Sequence, residues 1–163
     1  MTDDSQTFRA AMAQLGSAVC VLSTDGEAGR YGITASAVTG VSDNPPSLII
    51  CVNRSSGANA VIKGNGHVCV NVLSCEQEAI SAAFSDKEIM PEQRFETGNW
   101  YVSGLGNPKL AETAASFDCV IDKTVEYGTH SVFFCQVREI NLSENENCLI
   151  YHGRAYHKIE AFG

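Results

Sequence analysis

Phe8, Ala11, Met12 and Leu15 recur at i, i+3, i+4 and i+7, which predicts an amphipathic helix over residues 5–15. Ser5 is placed to cap its start and Gly16 to end it. The period then shortens to two. Val19–Ser23 reads as a strand stopped at Asp25-Gly26, and Arg30–Val41 as extended chain broken at Gly32 and Gly40. Asp43-Asn44-Pro45-Pro46 predicts a turn, since prolines lack the N–H a ladder needs. Ser47–Val52 is a continuous apolar strand, expected to be buried on both faces. Ala58–Lys63 suggests a short helix before a Gly64-Asn65-Gly66 turn. His67–Leu73 follows as a strand with Val68, Val70 and Val72 on one face. Ser74-x-x-Gln77 reads as a capping box opening a helix whose Ala79, Ile80, Ala83 and Phe84 share a side.

From Ser85 to Lys109 no period holds, and a stretch that long inside a small domain is expected to serve as a lid or binding segment. Strands return at Ser116–Asp122, Val132–Ile140 and Leu149–Tyr151, with a hairpin turn at Asn145-Glu146-Asn147. Six or seven short strands with two or three helices predict a mainly β fold, an antiparallel barrel decorated with helices. One domain over 1–163 is expected from the length.

Composition removes several function classes. The net charge is −8, and the 11 basic residues are scattered, so no nucleic-acid footprint is expected. No run of 18 apolar residues predicts a membrane span. Seven cysteines without a C-x-x-C pair, five of them in β-branched or aromatic runs, read as buried thiols in a reducing, cytoplasmic setting.

Familiar catalytic signatures are missing. There is no P-loop, no G-x-G-x-x-G opening a helix, and no G-x-S-x-G elbow. No metal site is expected: His152 and His157, five apart, would face opposite sides of one strand. Three polar segments at strand ends stand out instead. Thr34-Ala35-Ser36-Ala37 combines hydroxyls with small side chains that leave backbone approachable. Asn53-Arg54-Ser55-Ser56 gathers amide, guanidinium and hydroxyl donors ahead of a short helix, which suits a phosphate or a solvated turn. Gly128-Thr129-His130 allows a close approach, although an isolated histidine is more often structural.

Along these residues the sequence resembles the flavin reductase-like family. The likeness runs through Gly32-Ile33-Thr34-Ala35-Ser36-Ala37-Val38, Asp43-x-Pro45-Pro46-Ser47-Leu48, Cys69-Val70-Asn71-Val72-Leu73, Gly128-Thr129-His130 and Tyr156-His157. It implies a Greek-key split β-barrel of FMN-binding type, a homodimer, and NADH- or NADPH-dependent reduction of FMN or FAD for a partner flavin-dependent monooxygenase. It places Thr34, Ala35, Ser36, Ala37 and Val38 along the flavin ring and ribityl chain, and Asn53, Arg54, Ser55 and Ser56 at its phosphate. His130 would act at the flavin and nicotinamide as the catalytic residue, with Tyr156 and His157 closing the pocket. Phe84, Arg94 and Phe95 would border the path of the nicotinamide nucleotide. Gly64-Asn65-Gly66 and Glu76-Gln77-Glu78 look most like the reductase of 4-hydroxyphenylacetate 3-monooxygenase. Asn53-Arg54 and Thr34-Ala35-Ser36 are also similar to the reductase of the pyrimidine-ring oxygenase system. Two other readings stay open: a flavin carrier without turnover, and an oxidase related to pyridoxamine-phosphate oxidases, against which Gly-Thr-His and Tyr-His argue.

Overall fold

A computed structural model describes residues 4–144 and 147–160. Its element order is α1 (Asp4–Met12), β1 (Ser17–Ala18), β2 (Cys20–Thr24), β3 (Tyr31–Ala35), β4 (Val38–Asp43), β5 (Pro46–Asn53), α2 (Gly57–Asn65), β6 (His67–Val72) and α3 (Glu78–Ser85). A 3-10 turn (Gln93–Glu96) leads to β7 (Trp100–Val102), β8 (Pro108–Leu110), β9 (Ala115–Tyr127), β10 (His130–Leu142), β11 (Asn147–His152) and β12 (Ala155–Glu160).

Seven strands form one antiparallel sheet in the order β3-β2-β6-β9-β10-β5-β4. Its two edges, β3 and β4, are consecutive in sequence and joined only by Ser36 and Ala37. Three Cα steps span at most about 11 Å, so the edges must lie close together and the sheet rolls into a barrel with its seam at this turn. The three-stranded sheet β1-β11-β12 sits beside it, tied on where Val19 N–H donates to Leu149 O and Leu149 N–H to Leu73 O.

Alternation along β2 explains both cores. Cys20 and Leu22 point into the barrel with Ile50, Val68 and Phe133, while Val19 and Val21 pack outward with Leu73, Phe84 and Leu149. Each face of the strand therefore meets a different apolar cluster, and all five residues of β2 are buried. All seven cysteines are free, and burial pushes Cys20 and Cys135 up to about 12, leaving neutral packing groups.

Several expectations change. The first helix is already helical at Asp4, so Ser5 lies inside it rather than at its cap, and it ends at Met12 rather than Gly16. Its apolar face stays uncovered in the single chain: Phe8 and Met12 are 64% and 47% exposed. The strand expected to be buried on both faces alternates instead: Leu48, Ile50 and Val52 are buried, Ile49 and Cys51 half-buried. Pro46 opens that strand, opposite Asp43. Gly64 and Asn65 belong to α2, and Gly66, at φ 75°, is its left-handed cap. Only part of the capping box forms: Ser74 N–H donates to Gln77 Oε1, but α3 starts at Glu78, and Ala79 is exposed. The irregular stretch contains β7 and β8, and β12 lies beyond the strands expected from pattern. Of the expected hairpin turn, Asn145 and Glu146 lie outside the described residues.

Candidate functional site

The seam between β3 and β4 opens a cavity of about 650 Å³, in the usual range for a nucleotide-sized ligand. One wall is Tyr31, Ile33, Thr34 and Ala35 of β3 with Ser36 and Ala37 of the turn. The facing wall is the end of β5, Cys51 to Asn53, continuing into Ser55, Ser56 and Gly57. Phe84, Ser85, Lys87 and Arg94 complete it from α3 and the segment after it.

The second wall owes its shape to local hydrogen bonds. Asn53 Oδ1 accepts from both the backbone N–H and the hydroxyl of Ser55, folding the chain sharply as β5 ends. Ser56 Oγ then caps α2 by accepting from Ala58 N–H. The first turn of α2 therefore presents backbone N–H groups and the positive end of the helix dipole, an arrangement that receives phosphate oxygens. Asn59, buried one turn later, donates to Val52 O and Ser131 Oγ and fastens α2 to the sheet.

On the first wall, Thr34 Oγ1 donates to Ser81 O at 2.7 Å, and Ser81 Oγ is 2.7 Å from Tyr156 Oη. Tyr156 thus stands behind α3, in contact with the outer core, and reaches the cavity only through Ser81 and Thr34. Val38, half-buried at the start of β4, pairs with Ile50 and packs on the barrel core. Phe84 at the cavity floor meets Phe95 and Trp100 in a three-ring cluster with centroids 5.0–5.2 Å apart.

The remaining candidates sit elsewhere. His130 is exposed at the start of β10, directly across from Asn53, with Nδ1 2.8 Å from Thr129 Oγ1; it neighbours the cavity without lining it. Arg54 is turned to the outside. Its backbone N–H donates to Thr129 O, its Nη1 to Gly128 O, and its Nε pairs with Glu126 at 3.0 Å. Hydrogen bonds from Lys63 and Ser131, with the charge of Arg54, hold the Glu126 carboxyl below the usual carboxylate range. His152 and His157 do not share a strand: they lie on β11 and β12 with rings 5.7 Å apart, and His157 Nε2 is 3.1 Å from His152 O. His157 does not line the cavity.

Tyr31, Gly57 and Lys87 line the site yet escaped sequence reasoning. Tyr31 stood one residue ahead of a recognised segment, and Lys87 lay in the stretch without periodicity. The chain is a split-barrel protein whose seam holds one cavity walled by hydrogen-bond donors and small residues over an aromatic floor. It belongs to the flavin reductase-like domain family, whose pattern matches residues 12–160.

A protein of Ancylobacter novellus named FMN reductase (NADH) RutF is 46% identical over 154 residues, covering 94% of this chain and 84% of the relative. The fold matches the styrene monooxygenase flavin reductase of Pseudomonas putida S12 with a TM-score of 0.83 at 25% identity, covering 95% and 98%. The nitrilotriacetate monooxygenase component B homologue of Mycobacterium thermoresistibile matches with a TM-score of 0.88 at 26% identity, covering 96% and 87%. Among the described residues no helix is long and apolar enough to cross a membrane, and no group of three metal-ligating side chains occurs. The chain is a flavin reductase of mainly β, split-barrel fold.

Proposed function

We propose that this single-domain protein oxidises NADH to reduce FMN, and that it delivers the reduced flavin to a partner monooxygenase in the cytoplasm. The cavity joining Thr34–Ala37 to the first turn of α2 carries this reading, because it pairs room for a ring with donors for a phosphate. The name of the Ancylobacter relative supports FMN and NADH over FAD and NADPH. That name also supports the pyrimidine-ring oxygenase as partner, the likeness borne by Asn53-Arg54 and Thr34-Ala35-Ser36, over the 4-hydroxyphenylacetate system. The free thiols suit a reducing compartment.

A bound flavin would supply the redox chemistry as hydride acceptor, so the protein needs no acid–base pair of its own. Its residues hold and orient. Thr34–Ala37 would back the ring with Val38 packed behind them on the barrel core, Asn53, Ser55 and Ser56 would hold the phosphate, and Tyr156 fixes Thr34 through Ser81. His130, at the rim opposite Asn53, meets the incoming nicotinamide.

Following NADH absorbance with and without FMN, FAD or riboflavin tests this directly. Oxidation should appear only with flavin and be fastest with FMN; bound flavin without NADH turnover would select the carrier reading instead. In the same assay His130→Ala should slow turnover while FMN still binds, and an unchanged rate would remove His130 from the site. Supplying either purified oxygenase component separates the two partner assignments.

The homodimer implied by the family would cover the exposed face of α1. Met12 and Leu15 line a second cavity of about 610 Å³ that shares Ser36 and Ala37 with the first, so a second copy there would also wall the ligand. Light scattering should give twice 17.5 kDa; a monomer would overturn this assembly.

A further inference from the structure

We infer that Glu126 is a positioning residue for the hydride transfer: through Arg54 it fixes the turn that carries His130, and through Ser131 and Lys63 it ties that turn to α2. This rests on the reading of His130 given above and names what holds it in place.

The tip of the β9–β10 hairpin has no apolar anchor. Residues 126–130 are all exposed, Tyr127 by 81%. The turn itself is two residues long, Gly128 and Thr129, with Gly128 at φ 55°, a conformation that favours glycine. Polar contacts therefore set where the turn stands, and His130 with it. Arg54 supplies two of them: its backbone N–H donates to Thr129 O, and its Nη1 donates to Gly128 O. Thr129 Oγ1 lies 2.8 Å from His130 Nδ1, so the ring is held against the same turn.

Left to itself, Arg54 would be a long exposed side chain with many rotamers. Glu126 restrains it by accepting from its Nε at 3.0 Å. The same carboxylate accepts from the buried Ser131 hydroxyl at 2.9 Å and pairs with Lys63 of α2. Ser131 Oγ accepts in turn from Asn59 of α2 at 2.9 Å. Three donors thus converge on Glu126, and only an acceptor-only group satisfies all of them. A glutamine would set an amide N–H against one. An isolated surface ion pair contributes little, but this carboxylate joins the end of β5, the hairpin and α2 in one network. Because α2 opens at the proposed phosphate seat, the junction keeps that seat and His130 in one frame.

Anaerobic stopped flow, following flavin bleaching with FMN and excess NADH, should compare wild type, Glu126→Gln, His130→Ala and the double variant. Glu126→Gln should slow the step about three- to tenfold, with the FMN dissociation constant held within about twofold. In the His130→Ala background the same change should alter the rate by less than about twofold, because its effect passes through His130. Arg54→Met, which cuts the link at its other end, should give the same fall and the same cancellation. Glu139→Gln, which breaks the Lys109 pair at the far end of β10, should keep the wild-type rate. An equal fall in both backgrounds, or a wild-type rate in Glu126→Gln or in His130→Ala, would overturn the assignment. Should Glu126→Gln not fold by circular dichroism, Arg54→Met decides by the same cycle. A wild type that oxidises no NADH with FMN would refute the flavin reading itself, and that result is read before any variant.

Discussion

Gly32→Ala should destabilise the protein by about 1–3 kcal/mol, the usual penalty for overpacking a filled core. For a chain of this length that is a fall in Tm of roughly 3–10 °C. A Cβ there would come 2.5 Å from Phe84 Cε1, 2.8 Å from Cδ1 and 3.0 Å from Phe95 Cζ. Neither ring can retreat freely, since both pack on Trp100 in the three-ring cluster. FMN affinity should fall with stability, because Phe84 is the cavity floor and Gly32 O receives Arg94 Nη1. Gly40→Ala is the control: it adds the same methyl to another strand glycine, where nothing lies within 4 Å. A thermal melt of both variants checks the prediction, and a Gly32→Ala midpoint within a degree of Gly40→Ala would refute it.

The second large effect is expected at Asn71, fully buried in β6. Its Nδ2 donates to Val21 O and Ser23 Oγ, and its Oδ1 accepts from Leu110 N–H at 2.8 Å. One side chain thus pins β8 to the barrel wall. Replacement by Ala strands the Leu110 N–H in the interior, about 1–3 kcal/mol by itself, and leaves a small cavity. A total loss of about 2–4 kcal/mol in urea denaturation is expected. Trp100, the only tryptophan, pairs with Leu110 across β7 and β8, so its fluorescence should report early loosening of this hairpin. A variant as stable as wild type would show that the Asn71 bonds are replaceable.

These two residues show where the sequence speaks and where it is silent. Gly32 stood inside a segment singled out on pattern, yet nothing local says that rings from residues 84 and 95 press on it. Asn71 sits in a valine-rich strand; three of its bonds reach residues 21, 23 and 110, and no spacing rule encodes such separations.

The polar segment at 53–56 was legible because turn and cap chemistry is local. Asn53, Ser55 and Ser56 satisfy one another within four residues, so their arrangement follows from the chain alone. At Arg54 the surroundings are set from farther away. Residue type gave it a cation suited to phosphate, but Glu126, far along the chain, claims it across the β9–β10 hairpin.

Sequence by itself determined the β-rich class, the short helices near residues 58–63 and 78–84, four of the five thiols expected to be buried and the two polar strand ends. All follow from periodicities of two and 3.6 and from short-range hydrogen bonding. Tertiary structure alone decided that β3 and β4, neighbours in sequence, become opposite edges of one sheet and meet at its seam. It alone brought Tyr31 and Lys87 into the cavity that Ser56 lines, and it put His152 and His157 on separate strands. Closing a barrel joins residues by strand order, and strand order is set by which faces can be buried together.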